Sequence, residues 1–338
     1  MNGTKPAIRE SAERSFLHTL QLNIALQDIL ALIFHSYVFF RTVMAPENEH
    51  TEIAQRFSFA LLAITVITVL IVRGELLPKG KARALIYRTG LFVPMVFSYF
   101  EMRYVLPAVA PRLYDSELMR IDEILFGTAP VLWLDKLNNF PAVIEWLSAC
   151  YYSYFYIMAL MLIPVVYLES HTRMAQHMTG ALIICAVGHT GYTLVPAAGP
   201  VAFLEFSQEL QGGFFLKQVL ETVSAAGAQY DVFPSLHTAY LVYFALVAYG
   251  RRDETIFKYA FPILFVIAAN MLVATIALRW HWAIDVICGL ILAFSARYFS
   301  IRIVAHEECR RKEGARQELW EPYREAELRE AEAASPHG

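Results

Sequence analysis

The sequence is poor in charge. Asp, Glu, Lys and Arg make up 17% of its 338 residues, against 57% hydrophobic residues and a mean hydropathy of +0.42. Soluble domains run nearer a quarter charged and half apolar, so this composition excludes a soluble globular protein. Fifteen of the charges crowd into residues 306–338, which thins the remainder further. Cysteine is scarce as well. Cys150, Cys185, Cys288 and Cys309 are scattered with no CxxC or His-rich spacing, which argues against a disulfide framework or a structural zinc site. A net charge of −3 supplies no positive field to draw nucleic acid, so no nucleic-acid partner is expected. Residues 1–21 lack the pattern of a cleaved signal peptide, and the apolar stretch after them is expected to remain. With aromatics at 14%, most of the chain cannot be disordered.

What the sequence does have is long apolar runs. A spanning helix needs roughly 20 mostly apolar residues. Candidates lie near 22–40, 57–72, 89–106, 143–167, 178–196, 236–249, 258–278 and 282–300. The expected fold class is therefore all-α, a polytopic membrane helix bundle with about eight transmembrane helices. Placing the N-terminus in the cytoplasm puts 19 of the 28 Lys and Arg on that side, among them Lys5, Arg9, Arg14, Arg73, Arg251 and seven in the tail. By the positive-inside rule both termini should be cytoplasmic. The long segments on the opposite face, 107–142 and 197–235, are acid-rich. The first alternates acidic and apolar residues at helical spacing and is expected to lie on the outer surface as an amphipathic helix. Residues 306–338 read as a charged helix or a disordered, solvated end.

Two polar clusters stand where lipid would disfavour them. One is Phe233-Pro234-Ser235-Leu236-His237, at the outer start of the sixth span; the other runs from Arg279 through His281 to Asp285, between the seventh and eighth. Up-and-down topology brings both histidines to one face. His281 and Asp285 stand at i and i+4, so the carboxylate can hold one ring nitrogen and leave the other as a nucleophile. Ser235 suits an N-cap, and a helix N-terminus attracts anions. Arg279 adds a guanidinium that matches phosphate. Together these residues describe phosphoryl transfer through a histidine nucleophile.

These segments resemble the type-2 phosphatidic acid phosphatase (PAP2) superfamily, in particular its inositol phosphorylceramide synthase-like branch. Pro234-Ser235-Leu236-His237 matches its Pro-Ser-x-His motif, and His281 to Asp285 its His-x-x-x-Asp ending. The resemblance covers about residues 120–300, taking in Asp122 to Gly127, the aromatic run Tyr151-Tyr152-Ser153-Tyr154, and Tyr192 with Pro196 and Gly199-Pro200. It implies His281 as nucleophile, Asp285 as its orienting carboxylate, His237 as acid to the leaving group, and Ser235 among the phosphate ligands. It implies no metal and no cofactor. The chain would then divide into extra N-terminal helices (1–110), an outer-surface segment (111–142), a PAP2-like catalytic core (143–300) and a charged cytoplasmic tail (301–338).

Departures from the pattern matter. Ala274 and Thr275 stand where the superfamily's phosphatases carry Ser-Arg, and the Lys-x6-Arg-Pro motif is missing. Arg279 is the candidate to supply one charge; Arg103, Glu101 or Arg112 are candidates for the other role. Tyr192, Gly199, Pro200, Phe233 and Trp282, with Trp280, are expected to line the site. His189 reads as a hydrogen-bonded core residue. The function expected is transfer of a phosphoryl or phospho-head group, such as inositol phosphate, from a phospholipid donor to a lipid alcohol acceptor. A polyprenyl diphosphate or phosphatidate phosphatase is the alternative, and a transporter the rival outside enzymes. A bacterial inner membrane suits the uncleaved spans and few cysteines, with the active site on its outer face.

Overall fold

The structure is a computed structural model that describes residues 16–169, 171–227, 229–314 and 317–322. Lys5, Arg9 and Arg14, three of the charges used to orient the chain, lie outside the described residues. The described chain is helical throughout, apart from loops and one isolated bridge between Ala197 and Asp231. In order the helices are α1 (Phe16–Asn23), α2 (Leu26–Val43), α3 (Thr51–Arg73), α4 (Lys81–Val109), α5 (Asp115–Phe126) and α6 (Pro130–Leu134). A 3-10 turn (Asp135–Asn139) leads to α7 (Pro141–Tyr152), α8 (Tyr154–Leu168), α9 (His171–Leu194) and α10 (Pro200–Phe203). Then follow α11 (Phe214–Ala226), α12 (Leu236–Gly250), α13 (Thr255–Ala277) and α14 (Ala283–Glu313).

Four of these are long and apolar enough to cross a membrane: α3, α7 with α8, α13 and α14. The α1–α2 pair, bent by 101°, adds a fifth if it is one span. About eight were expected, and the shortfall has physical causes. At 15 residues, α12 is short. α4 and α9 are long enough but carry polar groups turned inward, with Arg83, Arg88 and Glu101 buried on α4 and His177 and His189 on α9. Such residues lower hydropathy without meeting lipid.

α9 is the central post. Residues 177–186 are buried without interruption, as a helix enclosed on all sides must be. α12 and α14 pack on one side of it and α2 and α4 on the other; α3 lies along α4, and α13 along α12. α12 and α14 approach closely at their N-termini, where a Cβ on Gly289 would sit 2.5 Å from the Ser235 carbonyl oxygen. There the Ser235 amide donates to the Asp285 carbonyl at 3.0 Å.

At the other end of the bundle, residues 306–313 of the tail continue α14 as a charged helix, and the expectation of a solvated end is corrected for residues 317–322. Residues 317–322 bury Leu319, Trp320 and Glu321 against the N-terminal helices. Arg73 is ion-paired with Asp28 at 2.7 Å and donates to the Glu318 and Leu319 carbonyls; Arg83 holds the Glu321 carboxylate, and Trp320 packs on Tyr87 at 4.9 Å. Residues 323–338 lie outside the described part. The segment 107–142 does hold a two-faced helix, with its acidic face turned inward. It contains α5, and the buried face of α5 is Asp115, Leu118 and Asp122, while Ile121, Ile124, Leu125 and Phe126 are exposed.

Candidate active site

The loop between α13 and α14 fixes the site. The Thr275 carbonyl accepts from both the Trp280 and the His281 amides at 3.0 Å, which folds the chain back at the end of α13. The turn needs Arg279 in the left-handed region at φ 66°, a conformation that costs a non-glycine residue of order 1 kcal/mol and so must be held from outside. The Arg279 side chain provides that hold. It pairs with Asp135 at 2.7 Å, donates to the Gln208 carbonyl at 2.9 Å, and lies over the Phe206 ring at 3.9 Å. Arg279 is thus turned away from the histidines, contrary to its expected place as a phosphate ligand.

His281 leads into α14, whose first turn is capped twice by carboxylates. Asp285 accepts the Trp282 amide at 2.8 Å, and Asp122 accepts those of Ala283 and Ile284 at 2.8 Å each. Asp115, one helical face along α5, accepts the Trp282 indole N–H at 3.0 Å and the Ala198 and Gly199 amides at 2.8 Å. One acidic helix therefore ties the start of α14 to the loop before α10. Gly199 is required in that loop, since φ is 84° and a Cβ would collide with the Trp280 carbonyl oxygen. Burial raises the Asp122 carboxyl, and the two amides it accepts oppose that.

The geometry brings His237 and His281 together. Their ring centroids are 5.8 Å apart, edge to face, and both line a cavity of about 400 Å³. Behind His281, Nδ1 stands 3.5 Å from Asp285 Oδ2, longer than a hydrogen bond. His237 is clamped between Tyr151, stacked at 4.5 Å, and Tyr154 at 4.3 Å. Burial lowers the His281 imidazole to about 4, with the Asp231 carboxylate and the Val232 backbone opposing. Burial in turn raises Asp231, and its own amide and His281 oppose that rise. At neutral pH His281 is therefore uncharged, as a nitrogen nucleophile must be.

The other expected site residues divide. Ser235 caps α12, its hydroxyl oxygen accepting the Thr238 amide at 3.4 Å, and is fully buried behind the cavity. Arg103 is exposed and reaches the cavity rim, where a Cβ on Gly227 would lie 3.1 Å from its Nη2. Arg112 is exposed and paired with Glu117 at 2.6 Å. Glu101 is fully buried on α4 and does not line the cavity. Tyr192 lines a second, neighbouring cavity. Gly199 and Pro200 shape the loop whose neighbours Ala198, Val201 and Ala202 form the wall. Phe233 packs into a small cluster with Val232 and Ala197. Trp282 is wholly buried as a strut, while Trp280 lines the cavity. His189 is buried and within 3.0 Å of the Ser98 hydroxyl.

Sequence reading missed Asp231, which shares the cavity with both histidines two residues before Phe233. It missed the structural work of Asp115 and Asp122, although their seven-residue spacing places them on one helix face. It missed α11, which forms a wall through Val219, Thr222 and Val223. The buried Trp280 Nε1 has no partner among the described residues, leaving a donor at the cavity. Among the described lining residues none is Lys or Arg.

A family model described as the PAP2 superfamily matches residues 116–299, from the first turn of α5 into α14. Comparison with curated proteins and with solved structures finds no match. The matched stretch is more than half of the chain and contains both histidines, Asp285 and the carboxylates that cap α14. The chain belongs to the PAP2 superfamily.

Proposed function

We propose that the protein is an integral-membrane lipid phosphotransferase that works through a phosphohistidine. The observation that carries this is the meeting of His237 and His281 at 5.8 Å on one cavity, with Asp285 behind His281. With its proton on Nδ1 toward Asp285, His281 presents Nε2 to phosphorus. Nε2 forms the P–N bond as the P–O bond to the donor lipid breaks, and the leaving alkoxide takes a proton from His237, which the bound anionic phosphate holds in its protonated form. The acceptor hydroxyl then gives its proton to His237 and attacks phosphorus, releasing His281. The Trp280 indole N–H and the free amides at the start of α12 are suited to hold phosphoryl oxygens.

The donor class follows from charge. With Asp231 lining the cavity and no Lys or Arg among the described lining residues, a phosphodiester with one negative charge suits it better than a phosphomonoester with two. A phospholipid carrying a head group such as inositol phosphate is of that kind, and a lipid alcohol is the acceptor that conserves the bond. No metal takes part in these steps. The cavity would open away from the cytoplasm, given the basic residues gathered at the other end of the bundle.

Purified protein given a head-group-labelled phosphodiester lipid should yield a new labelled lipid when ceramide or diacylglycerol is added. Label released only as water-soluble phosphate, from phosphatidate or polyprenyl diphosphate, would assign a hydrolase instead.

A further inference from the structure

A second cavity of about 250 Å³ lies beside the first, and Tyr99, Phe155 and His237 line both. Its other walls are apolar: Met95 and Phe100 from α4, Met158 and Ile163 from α8, Leu236 from α12. Tyr99, Tyr154, Tyr192, His189, His237 and Tyr240 border it too, but nearly all of its exposed lining is carbon. The Tyr240 hydroxyl donates to the Ala181 carbonyl at 3.1 Å, and His189 Nδ1 lies 3.0 Å from the Ser98 hydroxyl. Phe100, Phe155, Ala159 and Ile163 are exposed on the outer surface of the bundle, so the cavity reaches that surface between α4 and α8. A lining of this kind fits hydrocarbon and gives no foothold to a polar ligand.

We propose that this groove takes a hydrocarbon chain of the lipid donor, which enters from the bilayer between α4 and α8. The proposal rests on the phosphotransfer reading above and adds the subsite of its leaving group. His237 is the one catalytic group shared by the two cavities. A donor whose tail lies in the groove brings its ester oxygen to His237, the group that protonates it. Its phosphate then reaches toward His281 across the 5.8 Å between the rings, and its head group fills the larger cavity. Nucleophile and leaving group thus approach phosphorus from different sides. The α4 wall lies outside residues 116–299, so helices beyond the matched stretch would set which tails fit.

Ala159 is exposed at the groove, so a larger side chain there can cover the opening without displacing packed atoms. Ala159→Trp should lower the preference for a long-chain over a short-chain phosphodiester donor by about tenfold or more in kcat/KM, as the loss of a few buried methylenes implies. Leu160→Trp, on an exposed position outside the groove, should leave that preference unchanged. An unchanged preference in Ala159→Trp would overturn the proposal. A readout independent of turnover separates it from the reading beneath it. A phospholipid with a mid-chain diazirine, in nanodiscs, should label Met95, Met158 or Leu162, which line the groove away from the surface, in the wild type and in His281→Ala alike, and not in Ala159→Trp. Groove labelling without any phosphotransfer would keep the tail site and remove the enzyme reading. Phosphotransfer with labelling confined to exposed residues such as Leu160 would do the reverse.

Discussion

The Asp115 carboxylate accepts the Trp282 indole N–H at 3.0 Å, joining α5 to the residue beside His281 across 167 positions of sequence. Seven residues along the same helix, Asp122 accepts the first two amides of α14. The acidic face of α5 is therefore a clamp on the helix that carries Asp285, while its exposed apolar residues face outward.

Loss of that clamp should be felt as stability. Asp122→Ala leaves two helix N-terminal amides, one of them buried, without their acceptor and should cost about 1–3 kcal/mol. Thermal unfolding in detergent should show it, with activity falling alongside. Glu123→Ala, on the exposed face of α5, should change Tm little; equal losses in both would contradict the clamp.

These ties mark the boundary of what sequence could show. His281 and Asp285 were legible because i, i+4 spacing on a helix is local, and Pro234 to His237 because cap and motif are adjacent. The pairing of the two histidines followed from alternating spans. Arg279 was legible as a charge beside the nucleophile but not in its direction, since its partner Asp135 stands 144 residues away. Ser235 is legible from its motif and cap position, and Trp282 from adjacency to His281, but the burial of both shows only in the packing. The spans on α4 and α9 were blurred by inward polar residues, whose burial only packing reveals.

The Arg279–Asp135 pair offers a direct test of that correction. Arg279→Ala should destabilise the loop by about 1.5–3 kcal/mol, the range for a hydrogen bond to a charged group, and reduce activity through His281. In the exchanged pair Arg279→Asp with Asp135→Arg, part of the stability and activity should return. A phosphate ligand would show no such rescue and would raise KM for the donor in every variant.

His237 should matter in proportion to the leaving group. With a natural lipid donor His237→Ala should lose ~10³-fold in rate, within the range for general acid catalysis. With a nitrophenyl phosphodiester, which departs without a proton, the loss should be far smaller. That donor also isolates His281. Its group is lowered from 6.5 to about 4, so single-turnover phosphorylation should stay flat as pH falls through 6.5 and decline only toward 4. Stability should follow the same sign: between those values the unfolded chain binds the proton that buried His281 refuses, so stability contributed at this site falls as pH is lowered. An inflection at 6.5 in the phosphorylation step would contradict a buried neutral nucleophile.

Topology is open to labelling. In a Cys309→Ser background, Gln229→Cys, exposed beside the cavity, should react with an impermeant thiol reagent in intact cells. Arg252→Cys, exposed in the turn between α12 and α13, should react only after lysis. The opposite pattern would invert the orientation.

The most direct test of the central claim is to trap the covalent intermediate. Purified protein mixed with a labelled phosphodiester donor, quenched at alkaline pH and mapped by mass spectrometry, should carry an acid-labile phosphoryl adduct on His281. With the nitrophenyl phosphodiester as donor, the adduct should build up when His237 is replaced by Gln and the acceptor is left out, and it should be missing in His281→Ala. Turnover with no adduct on His281, or with the adduct on Ser235, His237 or a carboxylate, would contradict the mechanism.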